Sequence, residues 1–139
     1  MRYFAYFMMV LTIAVTFNSC KQKADSQKTS VKQEIRTLGV ADFEKAIADT
    51  NQVVLVDVRT LKEYNEGHIK GAIQIDVKDS KFNQQCISRL PKDKSIAVYC
   101  RSGFRSKTAA NILAEEGFKV INLRDGYKSW TEAGKETAK

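Results

Sequence analysis

The chain has 139 residues, 43% of them hydrophobic and 28% charged, with seven Gly and one Pro. Such values describe one globular domain carrying modest extra sequence, and they exclude collagen-like, coiled-coil and largely disordered chains; this length supports one respectable core and leaves little room for two. A net charge of +7 would suit nucleic acid or an anionic membrane. The basic residues are scattered, however, and the densest group (Lys21, Lys23, Lys28, Lys32) lies in a polar stretch without interleaved aromatics, which reads as a solvated spacer and not as a nucleic-acid arm. Three cysteines, Cys20, Cys86 and Cys100, make no disulfide framework.

Residues 1–20 carry one positive charge, Arg2, then an apolar run from Tyr3 to Phe17, then small or polar residues. The run is shorter than the ~20 residues a bilayer-spanning helix needs, and its order is that of a secretory signal peptide. Its end resembles a bacterial lipoprotein signal, in which a lipidated cysteine becomes the first residue of the mature chain. Cys20 holds that position; Ser19 fits the pattern, whereas Phe17 and Asn18 depart from it. The resemblance implies a lipid anchor through Cys20 and a domain in the bacterial cell envelope, facing the periplasm or the exterior. An uncleaved anchor and a plain signal peptide are the alternatives. Residues 21–34 are rich in Lys, Gln, Ser and Thr and are expected to form a flexible tether.

A folded unit over 35–136 follows, with 137–139 as a tail. Short β-rich runs alternate with helical patterns there, the sign of βαβ units around a mostly parallel sheet in an α/β fold. Phe43, Ala46 and Ile47 predict a helix over 41–49. The β-branched run 53–56 predicts a strand buried on both faces that ends at Asp57. Thr60 and Glu63 form a capping-box pattern, so a short helix runs from Thr60 to near Gly67. A strand over 72–77, a helix over 81–90 closed by Pro91, and a buried strand over 95–99 come next. Residues 100–106 then form a turn, Ala109, Ala110, Ile112 and Leu113 mark a helix ending at Gly117, and a strand over 120–123 precedes a helix over 127–133. Open parallel sheets bind ligands beyond the carboxyl ends of their strands, where Asp57 and Cys100 both fall.

Backbone N–H groups of a strand-to-helix turn converge near the helix N-terminus and favour an anion. A cysteine at that point, with Arg101 and Arg105 beside it, is expected to be a thiolate and hence a nucleophile. Gly103 allows the positive φ that a tight turn requires. An inert packed cysteine is the competing description.

Several segments in order resemble the rhodanese-like sulfurtransferases: 55–59 (Leu-Val-Asp-Val-Arg); Glu63 with 67–72 (Gly-His-Ile-Lys-Gly-Ala); 99–106 (Tyr-Cys-Arg-Ser-Gly-Phe-Arg-Ser) with Ala109 and Ala110; and 120–123 leading to Gly126, Tyr127 and Trp130. They span about 35–133. The resemblance implies a central sheet of about five strands with helices on both faces. It also implies a Cys100 persulfide that takes sulfur from thiosulfate or another persulfide donor and passes it to a thiol or to cyanide, with no metal or organic cofactor. Arg101, Ser102, Gly103, Phe104, Arg105 and Ser106 would bind the substrate, Arg101 and Arg105 drawing in an anionic donor. Asp57 and Arg59 would support the loop, with Glu63 reaching the arginine. Related phosphatases and arsenate reductases place five residues between Cys and Arg, whereas four separate Cys100 from Arg105, a shorter cradle that suits a persulfide. A non-enzymatic sulfur carrier or protein-binding module is the alternative function. His68 and Trp130 are expected to be structural, Tyr127 to cover the sheet, and Cys86 to be an incidental half-buried thiol. A small domain without an apolar surface stripe is compatible with a monomer.

Overall fold

The computed structural model describes residues 33–139. The signal-peptide segment, Cys20 and most of the expected tether lie outside the described residues. Of that tether, 33 and 34 are described, and the Gln33 N–H donates to the Ala114 carbonyl at 3.3 Å, so the packed chain starts slightly earlier than expected.

The elements in chain order are β1 (Ile35–Leu38), α1 (Val40–Ile47), β2 (Val53–Asp57), α2 (Leu61–Glu66), β3 (His68–Ile69), β4 (Ile73–Gln74), α3 (Phe82–Arg89), β5 (Ser95–Tyr99), α4 (Phe104–Glu115), β6 (Lys119–Leu123), α5 (Gly126–Glu132) and β7 (Thr137–Ala138). Five strands form one sheet in the order β1-β6-β5-β2-β4, every pair parallel. Period-2 alternation along the central strands feeds two cores. Val56, Ile96, Val98 and Val120 meet α3 and α4 through Phe82, Cys86, Ala110 and Leu113. Leu55, Ala97, Ile121 and Leu123 meet α1 and α5 through Phe43 and Trp130. Helices therefore cover both faces, as expected.

Chain direction places the site. From β2 the chain moves outward to the edge strand β4, whereas from β5 it moves the other way to β6 and then α5. The adjacent carboxyl ends of β2 and β5 are thus the point where the winding reverses, and a crevice opens there. Asp57 ends β2 and Cys100 directly follows β5.

The structure departs from the sequence expectations in four places. The strand expected over 72–77 pairs only at Ile73 and Gln74; beyond it, the Ile75 and Val77 N–H groups donate to the Asp57 and Val58 carbonyls, so the segment follows the end of β2 as a loop. The turn expected over 100–106 is shorter, because α4 starts at Phe104 and takes Arg105 and Ser106 into its first turn. The expected tail 137–139 carries β7, which pairs antiparallel with β3. Finally, β1 is an edge strand that periodicity does not single out, since its two central residues are exposed.

Candidate active site

Gly103 fixes the turn after β5. Its φ of +94° is open to glycine at little cost, and a Cβ there would run into the Arg124 carbonyl. On the other side of the turn stands Gly126, at φ +68°, where a Cβ would lie 2.6 Å from the Cys100 and Arg101 carbonyl oxygens. The same approach lets the Tyr127 N–H donate to the Cys100 carbonyl at 2.7 Å and the Lys128 N–H to the Arg101 carbonyl at 3.0 Å. Two glycines thus let β6 and α5 close on the Cys100 backbone.

Inside this turn the Gly103 N–H donates to Cys100 Sγ at 3.1 Å. Cys100 is only 1% exposed, and burial pushes its thiol up. Ser106, through its hydroxyl and its N–H, together with the Ser102 and Gly103 N–H groups, outweighs burial and holds it below the ordinary thiol value. The single Ser106 hydroxyl proton serves either the sulfur or the Gly103 carbonyl, 3.2 Å away. The expected thiolate is thus supported by these amides and a hydroxyl, and less by the two arginines than the sequence suggested.

The arginines differ from each other. Arg105 spends its fork on Glu63, at 2.7 Å from Nη1 to Oε2 and 2.6 Å from Nη2 to Oε1. Glu63 therefore reaches Arg105 and not Arg59, which corrects the expected pairing. Arg105 also lowers the Glu63 carboxyl to about 2, with Thr60 assisting through the capping box. Arg101, by contrast, is exposed and makes no ion pair among the described residues. Phe104 is 82% exposed at the rim, and Ser102 is exposed beside it.

Asp57 and Arg59 form a buried pair, at 0% and 4% exposure. Arg59 Nε and Nη2 bond the Asp57 carboxylate, at 2.9 Å to Oδ1 and 2.6 Å to Oδ2, and Nη2 also donates to the Gly67 carbonyl at 2.7 Å. Burial opposes the guanidinium charge, and Asp57 more than offsets it. The guanidinium carbon lies 4.2 Å from the centroid of the Tyr127 ring, and the Tyr127 N–H in turn donates to the Cys100 carbonyl, so the pair reaches the Cys100 loop through α5 as well as through β2. Tyr127 therefore lines the site's flank besides covering the sheet. A cleft of about 360 Å³ opens there, with Arg59, Glu66, Arg101 and Tyr127 among its walls. The expectations gave this cleft no place, because its walls come from four separate segments.

His68 stacks on Tyr64, with centroids 3.7 Å apart and Nδ1 3.0 Å from the Tyr64 carbonyl oxygen, which is a packing position in β3. Trp130 is 3% exposed in the core. Cys86 is not half-buried but fully buried on α3, and burial pushes its thiol up to about 11.

Fold and site together define an α/β domain with a cysteine at the winding reversal whose thiol is held below its ordinary value. Residues 40–133 match the Rhodanese-like domain family, and the chain belongs to that family. A sulfurtransferase of Allochromatium vinosum is 39% identical over 93 residues, covering 66% of this chain and 84% of that protein. The putative sulfurtransferase YtwF of Bacillus subtilis is 34% identical over 97 residues, covering 70% and 91%. Among solved structures, a rhodanese-related protein of Thermoplasma volcanium superposes with a TM-score of 0.65 at 29% identity, covering 74% of this chain and 97% of the other. Family and relatives support a sulfur-transfer role.

Proposed function

We propose that the protein is a sulfurtransferase that carries sulfane sulfur as a persulfide on Cys100. The observation that carries this reading is the Cys100 thiol held below its ordinary value in spite of burial, by N–H groups and a hydroxyl aimed at the sulfur. In the loading step, Sγ attacks the outer sulfur of thiosulfate or of another persulfide-type donor. A bond forms between Sγ and that sulfur, the donor's S–S bond breaks, and sulfite or the donor thiolate leaves with the electron pair. In the unloading step, a thiolate or cyanide attacks the outer sulfur and Cys100 departs as the thiolate its loop already stabilises. Arg101 attracts anionic donors from the rim; Ser102, Gly103 and Ser106 hold the charge; Phe104 borders the entrance; Arg105, Glu63, Asp57 and Arg59 keep the loop in place.

Thiosulfate added to the purified full chain is expected to leave one extra sulfur atom on the peptide containing Cys100, read by mass spectrometry, and Cys100→Ser is expected to carry none. A wild-type chain that gains no sulfur from thiosulfate or from a persulfide donor overturns the proposal. The sequence order of the first 20 residues supports a second element: a lipid on Cys20 that holds the domain at a membrane of the cell envelope. The full chain produced in bacteria should partition into the detergent phase and Cys20→Ser into the aqueous phase; equal partitioning would refute the anchor.

A further inference from the structure

The cleft of about 360 Å³ between the end of α2 and α5 has Arg59, Glu63, Glu66, Arg101, Tyr127 and Lys128 among its walls. Cys100 is not one of them, so an occupant is no reagent for the sulfur. Most of the charge here is already spent. Glu63 is engaged by both terminal nitrogens of Arg105, Lys128 Nζ stands 3.8 Å from Glu132, and the buried Arg59 gives Nε and Nη2 to Asp57 and the Gly67 carbonyl. Arg59 Nη1 has no hydrogen-bond partner among the described residues, and the exposed Arg101 and Glu66 make no ion pair among them. A lone anion leaves Glu66 unmatched, and a lone cation leaves both arginines unmatched. A zwitterion matches all three groups, its carboxylate against Arg101 and Arg59 Nη1 and its ammonium against Glu66. The volume falls at the small end of ligand pockets and holds an amino acid or a dipeptide.

These three groups stand on different parts of the fold. Arg59 follows β2, Glu66 ends α2 and Arg101 belongs to the turn after β5, so one ligand held by all three ties that turn to the α2 segment. The tie bears on Cys100. Its side chain is almost fully buried, so a reagent reaches Sγ only when the turn moves. On the α5 wall of the cleft, the Tyr127 and Lys128 N–H groups already hold the Cys100 and Arg101 carbonyls. We propose that the cleft is a regulatory site: it binds a zwitterionic amino acid or dipeptide without covalent change, and the bound ligand holds the turn closed over Cys100. A ligand that prefers the closed turn shifts the opening equilibrium by the ratio of its affinities for the two forms, commonly about 5- to 150-fold. This braking does not depend on Cys100 carrying sulfur.

The test measures calorimetric binding to the purified full chain, and alkylation of Cys100 by the neutral reagent iodoacetamide, read by mass on the Cys100 peptide. The probes are alanylalanine, its N-acetyl form (anionic end only) and its C-terminal amide (cationic end only). Alanylalanine is expected to bind about tenfold more tightly than either blocked form and, at saturation, to slow alkylation by at least about fivefold. Glu66→Gln should erase its advantage over the N-acetyl form, and Arg101→Ala should cut its advantage over the amide. Both side chains are exposed, so the fold tolerates these changes, and a charge-by-charge response is not what a general loosening produces. A peptide that merely plugs the mouth over Cys100 would ignore Glu66→Gln. Absence of binding, equal binding of the three probes, or protection that survives Glu66→Gln overturns the site; binding that leaves the alkylation rate unchanged overturns the brake. Failure of the wild-type chain to take sulfur from thiosulfate touches the carrier reading alone.

Discussion

Ser106 sits in the first turn of α4, where its hydroxyl and N–H help to hold Cys100 low while burial pushes the other way. Ser106→Ala is expected to move the pH midpoint of Cys100 alkylation upward. In the same experiment Cys86, fully buried and pushed up to about 11, should stay unlabelled until the protein unfolds. Glu63 has its carboxyl lowered from 4.5 to about 2, first by Arg105. Its pairing therefore stabilises the fold fully above pH 4.5, and that contribution fades as pH falls toward 2. Glu63→Gln should flatten this part of a plot of Tm against pH; an unchanged slope would remove the assignment. Cys100 and Gly103 were legible in the sequence because a strand, a turn and a helix in immediate succession fix their surroundings locally. The partner of Arg105 was not, since Glu63 lies 42 residues away and only the tertiary fold decides between two nearby arginines.

Thr60 and Glu63 show how far a local pattern carries at the scale of an element. Thr-x-x-Glu predicts a helix start, and the structure has both arms of the capping box, with the Glu63 N–H donating to Thr60 Oγ1 at 3.3 Å and the Thr60 N–H to Glu63 Oε2 at 3.1 Å. Thr60→Ala should cost about 1 kcal/mol, measured by urea denaturation. At the end of β2 the stakes are larger. Asp57→Asn leaves the buried Arg59 guanidinium without its counter-charge, and breaking such a pair costs about 3–5 kcal/mol; a loss below about 1 kcal/mol would show that the pair is not needed to hold β2's end. Continuous β-branched runs made β2 and β5 readable. Edge elements were less so: β4 pairs through two residues, and β3 and β7 exist only because distant parts of the chain meet. Two-residue strands leave no period to detect.

The whole domain is wound so that β2 and β5 present their carboxyl ends side by side, which is why residues from the middle and the second half of the chain share one crevice. The alternation of strand and helix signals made this architecture legible; the closure by the last residues was not. β7 pairs with β3, Lys70 Nζ meets Glu136 Oε1 at 2.8 Å, and Trp130 Nε1 donates to the Glu136 carbonyl at 2.9 Å, so the C-terminus fastens α5 to the segment after α2. Removal of 137–139 should lower Tm by roughly 4–8 °C for each kcal/mol lost in a domain of this size, and an unchanged Tm would mean that β7 adds nothing. Gly103 against Arg124 and Gly126 against Cys100 and Arg101 leave no slack around the Cys100 loop. Inserting one residue to accommodate a tetrahedral oxyanion would need α5 and the end of β6 to retreat together. A longer loop is therefore expected to need coordinated change in two places, the turn after β5 and the β6–α5 junction that closes on it.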